Sequence, residues 1–338
     1  MSTFERSVVQ MLVVVVQVPT FDFRLLTFDC RLMTADCPLL TVDVLSLRIR
    51  NETFNFPSYM MRRKSNTSLF NRVLISVIGI PVILALIGAG GVWFTSFIAI
   101  AVLLCSYEFL TLLKIPGKTG IFFLSLFNAG LVYLAFYGGL FWVYPALLGA
   151  WSVIVLLMMF RRPLSEFNMA LYAGASMVYP ALALTSLVLI RGISLHMGWE
   201  SFEGARILYV MLAMIWICDT LAYFLGSAYG SVKLSPTMSP NKTWEGAIAG
   251  FIGSLVVGLI AFRYGWIRNF SGWDYLVLAL ITGIFGQLGD LVESALKRHI
   301  GVKDTSRLLL DHGGALDRLD SLAFAGPIVY VYLLIRFV

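Results

Sequence analysis

From residue 287 to residue 321 the chain reads QLGDLVESALKRHIGVKDTSRLLLDHGGALDRLDS. A lipid-spanning segment has no structural use for so many Asp, Lys, Arg and His side chains, so this stretch is where chemistry is sought first. On a helix, Asp290, Ser294 and Lys297 fall at i, i+4 and i+7 and share one face. Asp317, Asp320 and Ser321 follow at i, i+3 and i+4, and the Gly313-Gly314 pair allows a tight turn before them. Two helices can thus present Asp290 and Asp317 to one Mg²⁺, an ion usually held by carboxylates together with substrate phosphates. Lys297, Arg298, Lys303 and Arg318 are placed to hold phosphate charge alongside. The competing reading of the same residues is an interfacial loop of ion pairs with ordinary basic anchors.

Two other stretches stand out. Cys218-Asp219-Thr220, with Tyr223 one turn later, puts an ionisable group inside an apolar run, which is costly unless it is paired or used. Lys233 to Gly246 reads KLSPTMSPNKTWEG. Its Ser-Pro steps interrupt helix, and Ser239, Asn241, Lys242 and Thr243 then lead into a new one. Free N–H groups at a helix start, beside a lysine and hydroxyls, suit a phosphate, and a plain helix cap suits the same residues equally. The G-x-x-x-x-G-K-[ST] loop of P-loop nucleotidases is absent.

The elements that must position these residues are membrane helices. The chain has 338 residues, of which 59% are hydrophobic and 13% charged, with a mean hydropathy of +0.85. Soluble domains carry about 25% charged residues. At roughly 20 apolar residues per crossing, about nine spans are expected. They lie near 72–89, 92–113, 119–137, 140–160, 169–190, 206–228, 244–262, 273–296 and 321–337. The expected fold class is therefore all-α, a polytopic integral membrane protein. The net charge of +6 is a matter of topology, not of nucleic acid, which is not an expected partner. With the N-terminus cytoplasmic, Arg62, Arg63, Lys64, Arg72, Lys114, Lys118, Arg161, Arg162, Lys233, Lys242, Lys297, Arg298, Lys303, Arg307 and Arg318 share the inner side. Only Arg191, Arg206, Arg263, Arg268 and Arg336 fall outside. The chemistry-bearing segments then face the cytoplasm, across a plasma or inner membrane.

Cys30, Cys37, Cys105 and Cys218 form neither a CxxC pair nor a Cys/His cluster, so no disulfide framework or zinc site is expected. Residues 21–48 repeat a heptapeptide (FDFRLLT, FDCRLMT, ADCPLLT, then a decayed VDVLSLR). Pro38 and the missing e/g charges argue against a coiled coil. Residues 1–59 are read as a poorly ordered, dispensable extension, with an amphipathic surface segment as the alternative, and residues 60–338 as the membrane domain.

Ser294-x-x-Lys297-Arg298, then Lys303-Asp304, then His312-Gly313-Gly314-x-x-Asp317-Arg318-x-Asp320 resembles the signature of the phosphatidate cytidylyltransferase (CDP-diacylglycerol synthase) family. Ser239-Pro240-x-Lys242-Thr243-Trp244-Glu245-Gly246, and Asp219 with Tyr223, are similar to further family stretches. The resemblance covers roughly residues 62–338. It implies the transfer of CMP from CTP to phosphatidic acid within the bilayer, giving CDP-diacylglycerol and pyrophosphate. It also implies Mg²⁺, accompanied by a monovalent cation such as K⁺. Asp290 and Asp317 then correspond to the metal-holding carboxylates, with Asp320 and Asp219 in support. Lys242, Lys297, Arg298 and Lys303 take phosphates, Ser239 and Thr243 orient the nucleotide, and Ser294 and Arg318 join the substrate contacts. His312 is either structural or a phosphate contact. A CTP-dependent polyprenol or dolichol kinase-like enzyme is the nearest rival, and a secondary transporter a more distant one. Monomer and homodimer are both left open.

Overall fold

In the computed structural model the backbone is described for residues 66–338 except 116, 162–166, 237, 303–304, 307–312 and 338, and side chains for the same residues except 66–76 and 140–170. The heptapeptide repeat, the expected extension and its boundary at residue 60 lie outside the described residues.

The helices, in chain order, are α1 (Asn66–Ala89), α2 (Gly91–Leu112), α3 (Lys118–Arg161), α4 (Phe167–Ser176), α5 (Ala183–Met197), α6 (Glu203–Tyr229), α7 (Trp244–Arg263), α8 (Gly272–Ile300) and α9 (Leu316–Phe337). A π-helical turn over Met177–Leu182, around Pro180, joins α4 to α5. Among the described residues, 7 helices are long and apolar enough to cross a membrane. The chain is an all-α, polytopic integral membrane protein. The spans expected near 119–137 and 140–160 form one helical run broken at Gly139, which sits at φ 63. The side chains of the second half lie outside the described residues. The span expected at 72–89 is helical, and its side chains are described only from Val77 onward.

Apolar patterning explains the packing. α2 is apolar except for Glu108 and packs chiefly against α3 and α5, burying Ile98, Val102, Cys105 and Phe109. α6 and α7 approach closely through glycines. A Cβ on Gly250 would lie 2.6 Å from the Cys218 carbonyl oxygen, and small residues at such a face let helix backbones touch. The other face of α7 leaves Ile252, Val256 and Leu259 exposed, as lipid contact requires.

Two local features, the hairpin and the start of α9, differ from expectation, and the polar half of α8 agrees with it. The all-α reading missed a short antiparallel hairpin, β1 (Lys233–Ser235) with β2 (Ser239–Thr243). Its Ser-Pro steps break helix as expected, and in a two-strand ribbon both strands are edges, where proline is tolerated. α8 runs unbroken through its polar half, so Asp290 to Lys297 do share a helix. α9 starts at Leu316 rather than 321, which places Asp317 and Asp320 inside its first two turns.

Candidate active site

The hairpin, the last turns of α2, α6 and α8 and the first turns of α7 and α9 all meet at one end of the bundle. Thr243 starts α7 by accepting the Gly246 N–H at 3.2 Å. Glu245 holds the hairpin to that helix start, accepting from the Ser231 hydroxyl and N–H and from the Val232 N–H. Lys242 is thereby fixed beside α8, where its Nζ lies 2.6 Å from Asp290 Oδ2.

α8 and α9 are brought together at Gly289, where a Cβ would lie 2.6 Å from the Asp320 carbonyl oxygen. Next to that contact, one carboxylate oxygen each from Asp290, Glu293 and Asp320 lie within 4.8 Å of one another. Glu293 is 1% exposed and Asp320 7%. Two unit charges about 4 Å apart interact by about 4 kcal/mol at an effective dielectric near 20. Three carboxylates so placed require positive charge. Part is supplied by Lys242 and by Lys297, whose Nζ lies 3.1 Å from Glu293 Oε2 and 2.8 Å from Asp317 Oδ1. Glu293 Oε1 is buried with no hydrogen-bond partner among the described residues. An orphaned carboxylate oxygen beside two further carboxylates fits a divalent cation.

Asp290 and Asp320 converge with Glu293, whereas Asp317 lies one turn nearer the helix start and faces the α8–α9 loop. Its Oδ2 accepts the Gly314 N–H at 2.8 Å and the Thr305 N–H at 3.2 Å, and it joins the cluster through Lys297 and directly against the Glu293 carboxyl. Ser294 lies beside Asp290, with Oγ 3.4 Å from Oδ1. Asp219, half-buried on α6, lies within electrostatic reach of Asp290, Asp320 and Lys242. Arg318 is half-buried on the first turn of α9. Ser239 opens β2 and is partly exposed, while the buried Thr243 hydroxyl is taken up by its cap. Arg298 is exposed and donates to the Val302 carbonyl at 3.3 Å. Lys303 and His312 lie outside the described residues.

Three residues escaped the sequence reading. Glu293 is three positions after Asp290, so the helical spacing that picked out Ser294 and Lys297 also pointed to it. Gln287 ties the site helices together, its Nε2 donating to the Ala247 carbonyl at 3.1 Å and to the Gly283 carbonyl at 2.9 Å. Glu108 is the one charged residue in the apolar run 92–113, itself a signal. It is 3% exposed and accepts from Ser306 Oγ at 2.6 Å.

Fold and site together define a polytopic helical membrane protein with a lysine-rimmed carboxylate cluster at one end of its bundle. Over residues 70–336 the chain matches the cytidylyltransferase family, and it belongs to that family. It is similar to the phosphatidate cytidylyltransferase of Staphylococcus saprophyticus, with 45% identity over 132 residues, covering 39% of this chain and 50% of the relative. The phosphatidate cytidylyltransferase of Staphylococcus aureus strain COL is 47% identical over 132 residues, with the same coverage of 39% and 50%. That of Brucella abortus biovar 1 is 40% identical over 161 residues, covering 48% of this chain and 56% of the relative. The chain spans about half the length of the curated relatives it matches.

Proposed function

We propose that the chain transfers CMP from CTP to phosphatidic acid, releasing pyrophosphate and leaving CDP-diacylglycerol in the bilayer. The observation that carries this reading is the buried convergence of Asp290, Glu293 and Asp320, with an orphaned oxygen on Glu293, beside Lys242 and Lys297. Family membership and the activity named for the relatives point the same way.

The phosphate of phosphatidic acid is an oxyanion at neutral pH, so the attack needs no strong base. One of its oxygens bonds to the α-phosphorus of CTP, the α–β bridging P–O bond breaks, and pyrophosphate leaves with that bond's electron pair. The barrier lies in bringing two anions together and stabilising the spread charge. Asp290, Glu293 and Asp320 are the residues that would hold Mg²⁺, with K⁺ as the accompanying ion implied by the resemblance. When bound, the metal neutralises phosphate oxygens and fixes their orientation. Lys242 and Lys297 leave their carboxylates for substrate phosphates as these enter. Asp317 Oδ1, released by Lys297, is then free to turn toward the cluster. Asp219, on the inner wall, keeps the site polar below the headgroup level.

The site faces the cytoplasm in this reading. Lys114, Lys118, Lys233, Lys242, Lys297, Arg298 and Arg318 belong to the site end of the bundle, while Arg191, Arg206, Arg263, Arg268 and Arg336 belong to the other, the bias expected of an inward-facing site end. CTP reaches such a site from water, and phosphatidic acid reaches it laterally from the inner leaflet.

Two labels test the reading. Purified protein with phosphatidic acid, Mg²⁺ and α-³²P-CTP gives a labelled CDP-lipid, whereas γ-³²P-CTP gives labelled pyrophosphate and no labelled lipid. Label passing from the γ position to a lipid, with CDP released, replaces this reading with a lipid kinase.

A further inference from the structure

The loop between α8 and α9 is pinched at its neck by two carboxylates from opposite sides. Asp317 grips the neck from within, through the Thr305 and Gly314 N–H groups. Glu108 grips it from α2, a helix about 200 positions earlier in the chain. Its Oε1 accepts from Ser306 Oγ at 2.6 Å and from the Ala315 N–H at 3.0 Å. Its Oε2 accepts from the Leu316 N–H at 3.0 Å and from Thr305 Oγ1 at 3.4 Å. Both arms of the loop thus end on one buried side chain.

The groups facing Glu108 are donors. Two are backbone N–H groups at the start of α9, which no helical carbonyl serves and where the helix dipole favours an anion. The fit is close: a Cβ on Gly314 would lie 2.5 Å from Glu108 Oε2 and 2.0 Å from Thr305 Oγ1. Glu108 is not one of the three carboxylates that converge. It holds the helix whose second turn carries Asp320, against the α8 face that carries Asp290 and Glu293.

We propose that Glu108 is a positioning residue for the nucleotidyl transfer, setting the α9 start so that Asp320 and Asp317 reach the α8 cluster. This rests on the reaction proposed above. Displacing reacting groups by about 1 Å typically costs about 10²-fold in rate. Glu108→Gln keeps one carbonyl acceptor and turns an NH₂ toward donors.

The test uses the full chain in detergent, taking only monodisperse protein with a wild-type helical circular dichroism spectrum. Glu108→Gln lowers kcat by about 30–100-fold, with KM for phosphatidic acid within about twofold and half-saturating Mg²⁺ raised about fivefold. Glu108→Asp recovers part of the loss, and Ser306→Ala shifts both parameters the same way by about two- to fivefold. Limited trypsin digestion without substrate or metal reads the loop directly: cleavage between residues 301 and 315 is about tenfold faster in Glu108→Gln than in wild type. If wild type makes no CDP-lipid, the reaction proposed above fails, and the trypsin result alone decides the role of Glu108. Folded Glu108→Gln with wild-type kcat, Mg²⁺ requirement and cleavage rate overturns the proposal. So does a loss explained wholly by less folded protein, with Glu108→Asp and Ser306→Ala inert.

Discussion

α8 buries a carboxylate near each of its ends, and the two ends treat it differently. At the far end, Asp274 is fully buried and every oxygen has partners. Oδ2 accepts from the Ser271 N–H and hydroxyl, and Oδ1 from Tyr332 Oη at 2.6 Å and Arg336 Nε at 3.0 Å. Glu203, at the start of α6, is likewise taken up by Arg206 and the Arg268 N–H. At the site end, Glu293 is as buried, yet one oxygen has no hydrogen-bond partner among the described residues and two more carboxylates crowd it. The far end is a closed structural network that ties α8 to α9. The site end is the charge that the proposed function assigns to a metal and phosphates. Burial alone does not separate the two ends; the crowding of three carboxylates around an unpartnered oxygen does.

Substitutions break this comparison in graded ways. Asp290→Asn, Glu293→Gln and Asp320→Asn each lower turnover by about 10²–10³-fold, typical for loss of a charge-stabilising group. The protein stays folded, because each change relieves repulsion among like charges; turnover and thermal unfolding of the same sample check both halves. Gly289→Ala sets a methyl against the Asp320 carbonyl and parts α8 from α9, costing about 10²-fold in turnover. Lys242→Gln removes one cation from the rim, and a rise of about tenfold in KM for CTP is expected from steady-state assays. Asp274→Asn has the smallest catalytic effect. Its folded fraction keeps turnover within about twofold, while its unfolding free energy falls by about 1–3 kcal/mol. A far-end variant that silences a folded enzyme, or a site-end variant that only destabilises it, would erase the distinction.

The helical membrane character was legible in hydropathy, because lipid permits few alternatives to an apolar helix. The site segments were legible for the complementary reason: Asp290, Lys242 and Asp317 stand in places lipid would not tolerate. What periodicity could not supply was contact between helices far apart in sequence. The i, i+3 step from Asp317 to Asp320 is plain, but that Asp320 is the one to converge with Asp290 and Glu293 is set by the Gly289 approach. Glu108 shows the same limit. As a lone acidic residue in an apolar run it was visible, yet its partners lie about 200 positions away. The Lys233–Thr243 hairpin was missed because two Ser-Pro steps read as broken helix and leave too short a segment for strand alternation to register.

Mn²⁺ binding, followed by electron paramagnetic resonance on detergent-purified protein, tests the central claim most directly. The account predicts that wild type and Asp274→Asn bind Mn²⁺ alike, and that Asp290→Asn combined with Glu293→Gln weakens binding by about 10²-fold. Equal binding by the double variant and wild type would contradict it.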